Sequence, residues 1–162
     1  MADRLKVGVV GCGAIATIRH IPAFLRLKDR ATIRAVCDKN EQLATETASR
    51  NSIPGVYTDL EPLLAAEKPD IIDICTPPQV HAPLAIQALE AGCNVILEKP
   101  MALKTADCDA MIAAAEKSGR QLCIVHNQLF YPPSSRPGSW WRPAPSGTSS
   151  ACASSCPTRR TK

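Results

Sequence analysis

The sequence predicts one α/β domain built on a doubly wound parallel sheet. Three observations carry that expectation. Apolar, β-rich runs alternate with helix-spaced segments about six times within the first 126 residues. The runs are near-continuously apolar, as strands covered on both faces must be. The first of them leads straight into a glycine turn, Gly11-Cys12-Gly13.

The elements follow in order. LKVGVV (5–10) is the first strand, and residues 14–28 have the spacing of a long first helix. TIRAVCD (32–38) is the second strand, followed by a helix over 40–51. GVYTD (55–59) is a weaker, short strand before a helix over 59–67. DIIDIC (70–75) leads into a helix over 79–91, and NVILE (94–98) into one over 104–118. QLCIVH (121–126) is the sixth strand. Gly92 and Gly119 stand where helix C-caps belong, and Thr105 with Asp107 marks a helix start. Crossovers are expected to be right-handed.

Composition bounds the function. A chain of 162 residues, 45% hydrophobic, buries one core and not two. No apolar run reaches the roughly 18 residues of a membrane helix, and the first residues lack a secretory h-region. A soluble cytoplasmic protein is therefore expected. The net charge of +4 is confined to the tail: residues 1–131 hold fourteen Lys and Arg against fifteen acids, and the remaining residues hold five bases and no acid. The folded part thus offers no nucleic-acid footprint. Cys12, Cys37, Cys75, Cys93, Cys108 and Cys123 are scattered singly and read as buried small hydrophobes. Cys152 and Cys156 are close, but no further Cys or His stands nearby to complete a metal site, and none is expected.

Gly11-Cys12-Gly13-Ala14-Ile15-Ala16 fits the G-x-G-x-x-A pattern between a strand and a helix. In that context Gly11 permits the tight turn, and Gly13 lets the backbone approach a pyrophosphate. Ala16 keeps helix and strand close, and the helix N-terminus at Ala14 and Ile15 presents free N–H groups to phosphate. Asp38, at the end of the second strand, suits the two ribose hydroxyls of NAD and repels a 2′-phosphate. Lys39 beside it leaves NADP open. A turn residue without a ligand is the other reading of Asp38.

Three further motifs end strands: Cys75-Thr76-Pro77-Pro78 with His81, then Glu98-Lys99-Pro100-Met101, then His126-Asn127. With the glycine turn, this set resembles the Gfo/Idh/MocA oxidoreductases over residues 5 to about 133. The resemblance implies a Rossmann NAD(P)-binding domain that moves hydride between nicotinamide and a sugar, cyclitol or related hydroxyl or carbonyl carbon. It implies that Gly11, Gly13 and Ala16 hold pyrophosphate, and that Asp38 holds the adenosine ribose. Thr76, Pro77 and His81 would line the nicotinamide side, Glu98 the nicotinamide ribose, and Asn127 the far edge. Lys99 would assist proton transfer at the reacting carbinol; an ammonium beside a developing alkoxide also stabilises it on general grounds. His81 also reads as a residue of the helix start, and Lys99 as a solvated loop lysine. His20, on the first helix, receives no role. The family's arginine shortly after Asn127 is replaced here by Gln128-Leu129.

From Pro132 the composition breaks. The stretch 132–162 holds six of the fourteen prolines, both tryptophans and eleven Ser and Thr. It reads as a disordered tail, or as a segment translated one nucleotide out of register. In the shifted frame, Trp140 and Trp141 each supply TG and stand for Leu, Val or Met. Ser139 as AGC allows Glu, and Pro and Ala codons allow Ala and Gly. From Gly138 onward the string R-E-L-V-A-A-G-A-I-G-D-V is permitted, which resembles the family's helix, glycine turn and first substrate-domain strand. On this reading the chain binds cofactor but is catalytically incomplete. It lacks the α+β domain that brings the small-molecule substrate and the homo-oligomer interface. The alternatives are a stand-alone dinucleotide-binding or redox-sensing module, and a basic arm for an acidic partner.

Resequencing the coding DNA across the codons for Phe130 to Gly138 checks the frame. One missing base with a continuing open frame is the expected result. A correct sequence with a genuine stop after Lys162 and no continuing frame overturns it.

Overall fold

The computed structural model describes residues 4–127. The chain divides into residues 1–125, which carry every element named below, and residues 126–162, of which His126 and Asn127 are described and exposed. The expected tail, 132–162, with Cys152 and Cys156, lies outside the described residues.

The strands are β1 (Leu5–Val10), β2 (Ala31–Cys37), β3 (Gly55–Tyr57), β4 (Ile71–Ile74), β5 (Asn94–Leu97) and β6 (Leu122–Ile124). All pair in parallel, in the order β3-β2-β1-β4-β5-β6. That is the dinucleotide-binding order of a doubly wound sheet, with the chain reversing its direction of travel between β1 and β4. The helices are α1 (Ile21–Arg26), α2 (Glu41–Asn51), α3 (Leu60–Glu67), α4 (His81–Glu90) and α5 (Thr105–Ser118).

Local chemistry sets the boundaries. The Asn40 side chain accepts the Leu43 N–H at 3.1 Å and caps α2. Gly92 and Gly119 follow α4 and α5 with φ of +87° and +64°, as C-terminal glycines do. Ser52 and Lys68 end α2 and α3 in the same left-handed region without being glycine.

Period-two alternation divides the core between the sheet's faces. Val7 and Val9 pack with Ala16, Ile21, Ile33 and Ala44. Val10, Ile72 and Ile74 pack with Leu63, Leu89, Leu97 and Met111. Asp73 interrupts β4 between Ile72 and Ile74 and is completely buried.

Two expectations are corrected. The first helix is continuous over residues 14–26, two short of the expected 28, and is not regular: a π turn over Ala16–His20 precedes α1, with the Ile21 N–H donating to the Ala16 carbonyl. Pro22 follows and cannot donate, so a regular ladder is lost there. Of the six scattered cysteines, Cys12, Cys37, Cys75 and Cys93 are buried, whereas Cys108 is half-buried and Cys123 is exposed. Cys123 lies on β6, which pairs with β5 alone among the described residues. No helix among the described residues is long and apolar enough to cross a membrane.

Leu97 is fully buried under Leu89 and Met111 in one core cluster. Leu97→Ala is expected to cost about 2–5 kcal/mol in urea unfolding, from lost transfer energy and the cavity left behind.

Candidate functional site

A cleft of about 690 Å³ opens at the carboxyl ends of β1, β2 and β4. This is where an open α/β sheet binds ligands, and the volume is that of a small-molecule site. Gly11, Gly13, Ala14, Ile15, Asp38, Thr76 and Pro77 all line it, together with Lys39, Leu43, Thr58, Asp59, Val80 and Leu84.

The two glycines do different work. Gly11 has φ of +93°, and a Cβ there would lie 2.8 Å from the Cys75 carbonyl carbon and oxygen. The Gly11 N–H donates to Cys37 O at 2.8 Å, and the Cys75 N–H to Val10 O at 2.7 Å. The protein's own backbone therefore requires glycine at 11. A Cβ on Gly13 would meet nothing within 4 Å. Packing makes no demand for glycine at 13, and the open space is a cradle that a side chain would fill. A helical turn begins at Ala14, and its first N–H groups have no preceding turn to donate to. Ala16 is fully buried beneath the loop, in the core with Val9 and Ile21.

Asp38 joins the loop to the end of β2. Its Oδ2 accepts the Cys12 N–H at 2.8 Å, and its Oδ1 the Asn40 N–H at 2.9 Å. Each carboxylate oxygen keeps a second acceptor position for a ribose hydroxyl. Lys39 points its ammonium to Asp59, a cleft residue before α3. The hydrogen bond from Lys39 holds the Asp59 carboxyl below its usual range, against a small burial effect. Glu61 adds a further acid to this wall.

Thr76 and Pro77 form the opposite side. The Thr76 Oγ1 is buried and has no hydrogen-bond partner among the described residues. An orphaned hydroxyl on a cleft wall suits a polar ligand. The His81 ring is completely buried behind it: Nε2 lies 2.8 Å from Thr76 O, and Nδ1 3.0 Å from Pro100 O. His81 thus meets the cleft through the two loops it packs between. Glu98 is also buried, its Oε2 accepting the Lys99 N–H at 2.9 Å. Lys99 is exposed.

His20 went without a role in the sequence, and the structure makes it the hub of a buried network. Its Nδ1 lies 2.9 and 3.0 Å from the two Asp73 oxygens, and its Nε2 lies 3.0 Å from Glu98 Oε1. Burial alone would lower the ring's pKa. Hydrogen bonds and charge from Asp73, then Glu98, outweigh it and push His20 up to about 9. The available signal was Asp73: an acid inside an apolar buried strand needs a buried partner. Cys75 also lies here, its thiol donating to Asp73 Oδ2 at 3.7 Å. Burial, then the Asp73 charge, pushes that thiol far up, so it stays protonated and inert. His20, Asp73 and Cys75 hold ligand-type atoms within 4.8 Å of one another. Hydrogen bonding accounts for that closeness, because Nδ1 is already spent on Asp73.

Comparison with known proteins assigns the family. Residues 5–126 match the oxidoreductase family, NAD-binding Rossmann fold, known as Gfo/Idh/MocA, and the chain belongs to it. It is 33% identical over 126 residues to a D-glucoside 3-dehydrogenase of Escherichia coli, covering 78% of this chain and 36% of that one. It is 34% identical over 129 residues to a D-apiose dehydrogenase of Paraburkholderia graminis, covering 80% and 34%. Among solved structures it is similar to GenD2 from gentamicin A biosynthesis in complex with NAD, with TM-score 0.74, 33% identity and coverage of 82% and 37%. It is also similar to the WlbA dehydrogenase from Bordetella pertussis in complex with NADH and UDP-GlcNAcA, with TM-score 0.73, 31% identity and coverage of 76% and 37%. The chain spans little more than a third of the length of these relatives.

The glycines separate fold from ligand. Gly11→Ala is expected to destabilise the chain by roughly 1–3 kcal/mol, through left-handed strain and the backbone clash. Gly13→Ala should leave the urea midpoint nearly unchanged and weaken NADH binding roughly tenfold or more, a loss of about 1.4 kcal/mol. Calorimetric titration of both variants checks the contrast.

Proposed function

We propose that this chain supplies the NAD-binding domain of an oxidoreductase acting on a sugar, cyclitol or similar hydroxyl or carbonyl compound. The observation that carries the reading is one cleft that joins an open Gly13 position, the Asp38 carboxylate and the orphaned Thr76 hydroxyl. These residues fit a dinucleotide: N–H groups and an unfilled Cβ position for phosphate, acceptors for ribose hydroxyls, and an unpaired hydroxyl for a polar group. The family match and the sugar-directed names of relatives support the substrate class.

When bound, the nicotinamide accepts or supplies the hydride. The protein's own contribution is positioning and proton handling. Asp38 orients the adenosine ribose while holding the glycine loop through Cys12 N–H. Thr76 and Pro77 form the wall toward the nicotinamide end, braced by His81. Glu98 acts on Lys99 through the peptide N–H, and Lys99 then holds a proton at the substrate oxygen and stabilises negative charge developing there.

The ribose end favours NAD over NADP. Asp38, Asp59 and Glu61 stand against a single Lys39, which Asp59 already engages. A 2′-phosphate there would meet like charge, a penalty of up to several kcal/mol. Fluorescence titration of the chain should show NADH binding at least roughly tenfold tighter than NADPH. Asp38→Asn and Asp59→Asn should each shrink that ratio. A folded chain that binds neither dinucleotide overturns the reading.

A further inference from the structure

His20 stands at the last position of the π turn, and its ring is inserted between β4 and the loop after β5. The titratable groups facing it are Asp73 and, beside Asp73, the Cys75 thiol from β4 and its end, and Glu98 from the end of β5. Ionised carboxylates only accept hydrogen bonds, and only an imidazolium donates from both nitrogens. The geometry therefore calls for the protonated ring: a neutral one would set a bare nitrogen against Asp73 or Glu98.

The network continues toward the cleft. Glu98 gives Oε1 to His20 and Oε2 to the Lys99 N–H, so both oxygens are committed. The Glu98 N–H donates to Ile74 O at 3.0 Å, which docks this residue on β4. An unbroken chain of charge-assisted bonds thus runs Asp73–His20–Glu98–Lys99. Such bonds are short, directional and stronger than neutral ones.

We propose that His20 is a positioning residue: through Glu98 its imidazolium fixes the peptide of Lys99, and the placement of Lys99 depends on the proton that His20 carries. The inference rests on the reading of Lys99 given above as the group that handles the substrate proton. His20 holds its proton to about pH 9, well above its ordinary 6.5. Above that pH the ring keeps one proton, held at Nδ1 by the two Asp73 oxygens, and the grip on Glu98 is lost. Because the folded value is raised, the network's stabilisation is complete below about 6.5 and disappears as pH rises through about 9.

Carbon-detected NMR of the labelled chain between pH 6 and 10 tests this. The His20 ring nitrogens, the Glu98 carboxyl carbon and the Lys99 Cα are expected to share one titration step near pH 9. In His20→Gln the step disappears from Lys99 and Glu98. A merely structural histidine would lower stability without imprinting its titration on Lys99. The proposal is overturned if Lys99 Cα shows no step in common with the ring, or keeps that step in His20→Gln. Should His20→Gln fail to fold, the titration of the unmodified chain decides the question by itself. The readout needs no substrate, so it stands or falls separately from the role of Lys99 in the reaction.

Discussion

The approach of the β1 end to the β4 end, backbone against backbone at Gly11, is the constraint on which the rest of the site depends. Gly11 lies so close to Cys75 and Thr76 that no Cβ fits between them. Beyond that contact the connections from β1 and β4 leave toward opposite faces of the sheet, and the crevice between them becomes the cleft. The same contact brings the glycine loop to Asp38 on one side and to Thr76 on the other. The separation of duties between the glycines follows from it: one position is filled by the protein's own backbone, and the other is left open.

A second constraint lies beneath the cleft. Asp73 is a completely buried acid in a strand whose neighbouring residues are apolar. An unpaired charge there would cost several kcal/mol, so a partner is required. The π turn supplies His20, and the ring's second nitrogen recruits Glu98. What satisfies the core on one side thereby becomes the support for the loop that carries Lys99. Replacing the network by apolar side chains would lose that directional link, whatever it did for stability.

The loops at the cleft are tied down by similar economy. The His81 ring lies between the carbonyls of Thr76 and Pro100, packed between the turn after β4 and the turn after β5. Asp38 performs the equivalent task between β1 and β2 with two backbone N–H groups. Residues of two kinds therefore compose the site: some face the cleft, and others hold the facing ones in place.

The strand and helix order was legible in the sequence because burial on both faces writes continuous apolar runs, and glycine turns punctuate them. That the glycine loop, Asp38, Thr76 and Pro77 share one cleft was legible because each ends a strand, and parallel strands all end at one edge. The tertiary structure alone decided what each side chain does there. The close packing of Ala16 was legible in the glycine motif, but periodicity could not show that His81 and Glu98 turn inward, since a helix start or strand end reads the same whichever way its side chain points. It could not show that Lys39 is engaged by Asp59, twenty residues away on another connection. Pro22 inside the first helix was a sequence signal that a regular ladder could not continue, but periodicity alone did not place the π turn that precedes it. Sequence determines which residues reach the edge of the sheet. Long-range pairing, His20 with Asp73 across 53 residues and with Glu98 across 78, decides which of them are held and which are left free to bind.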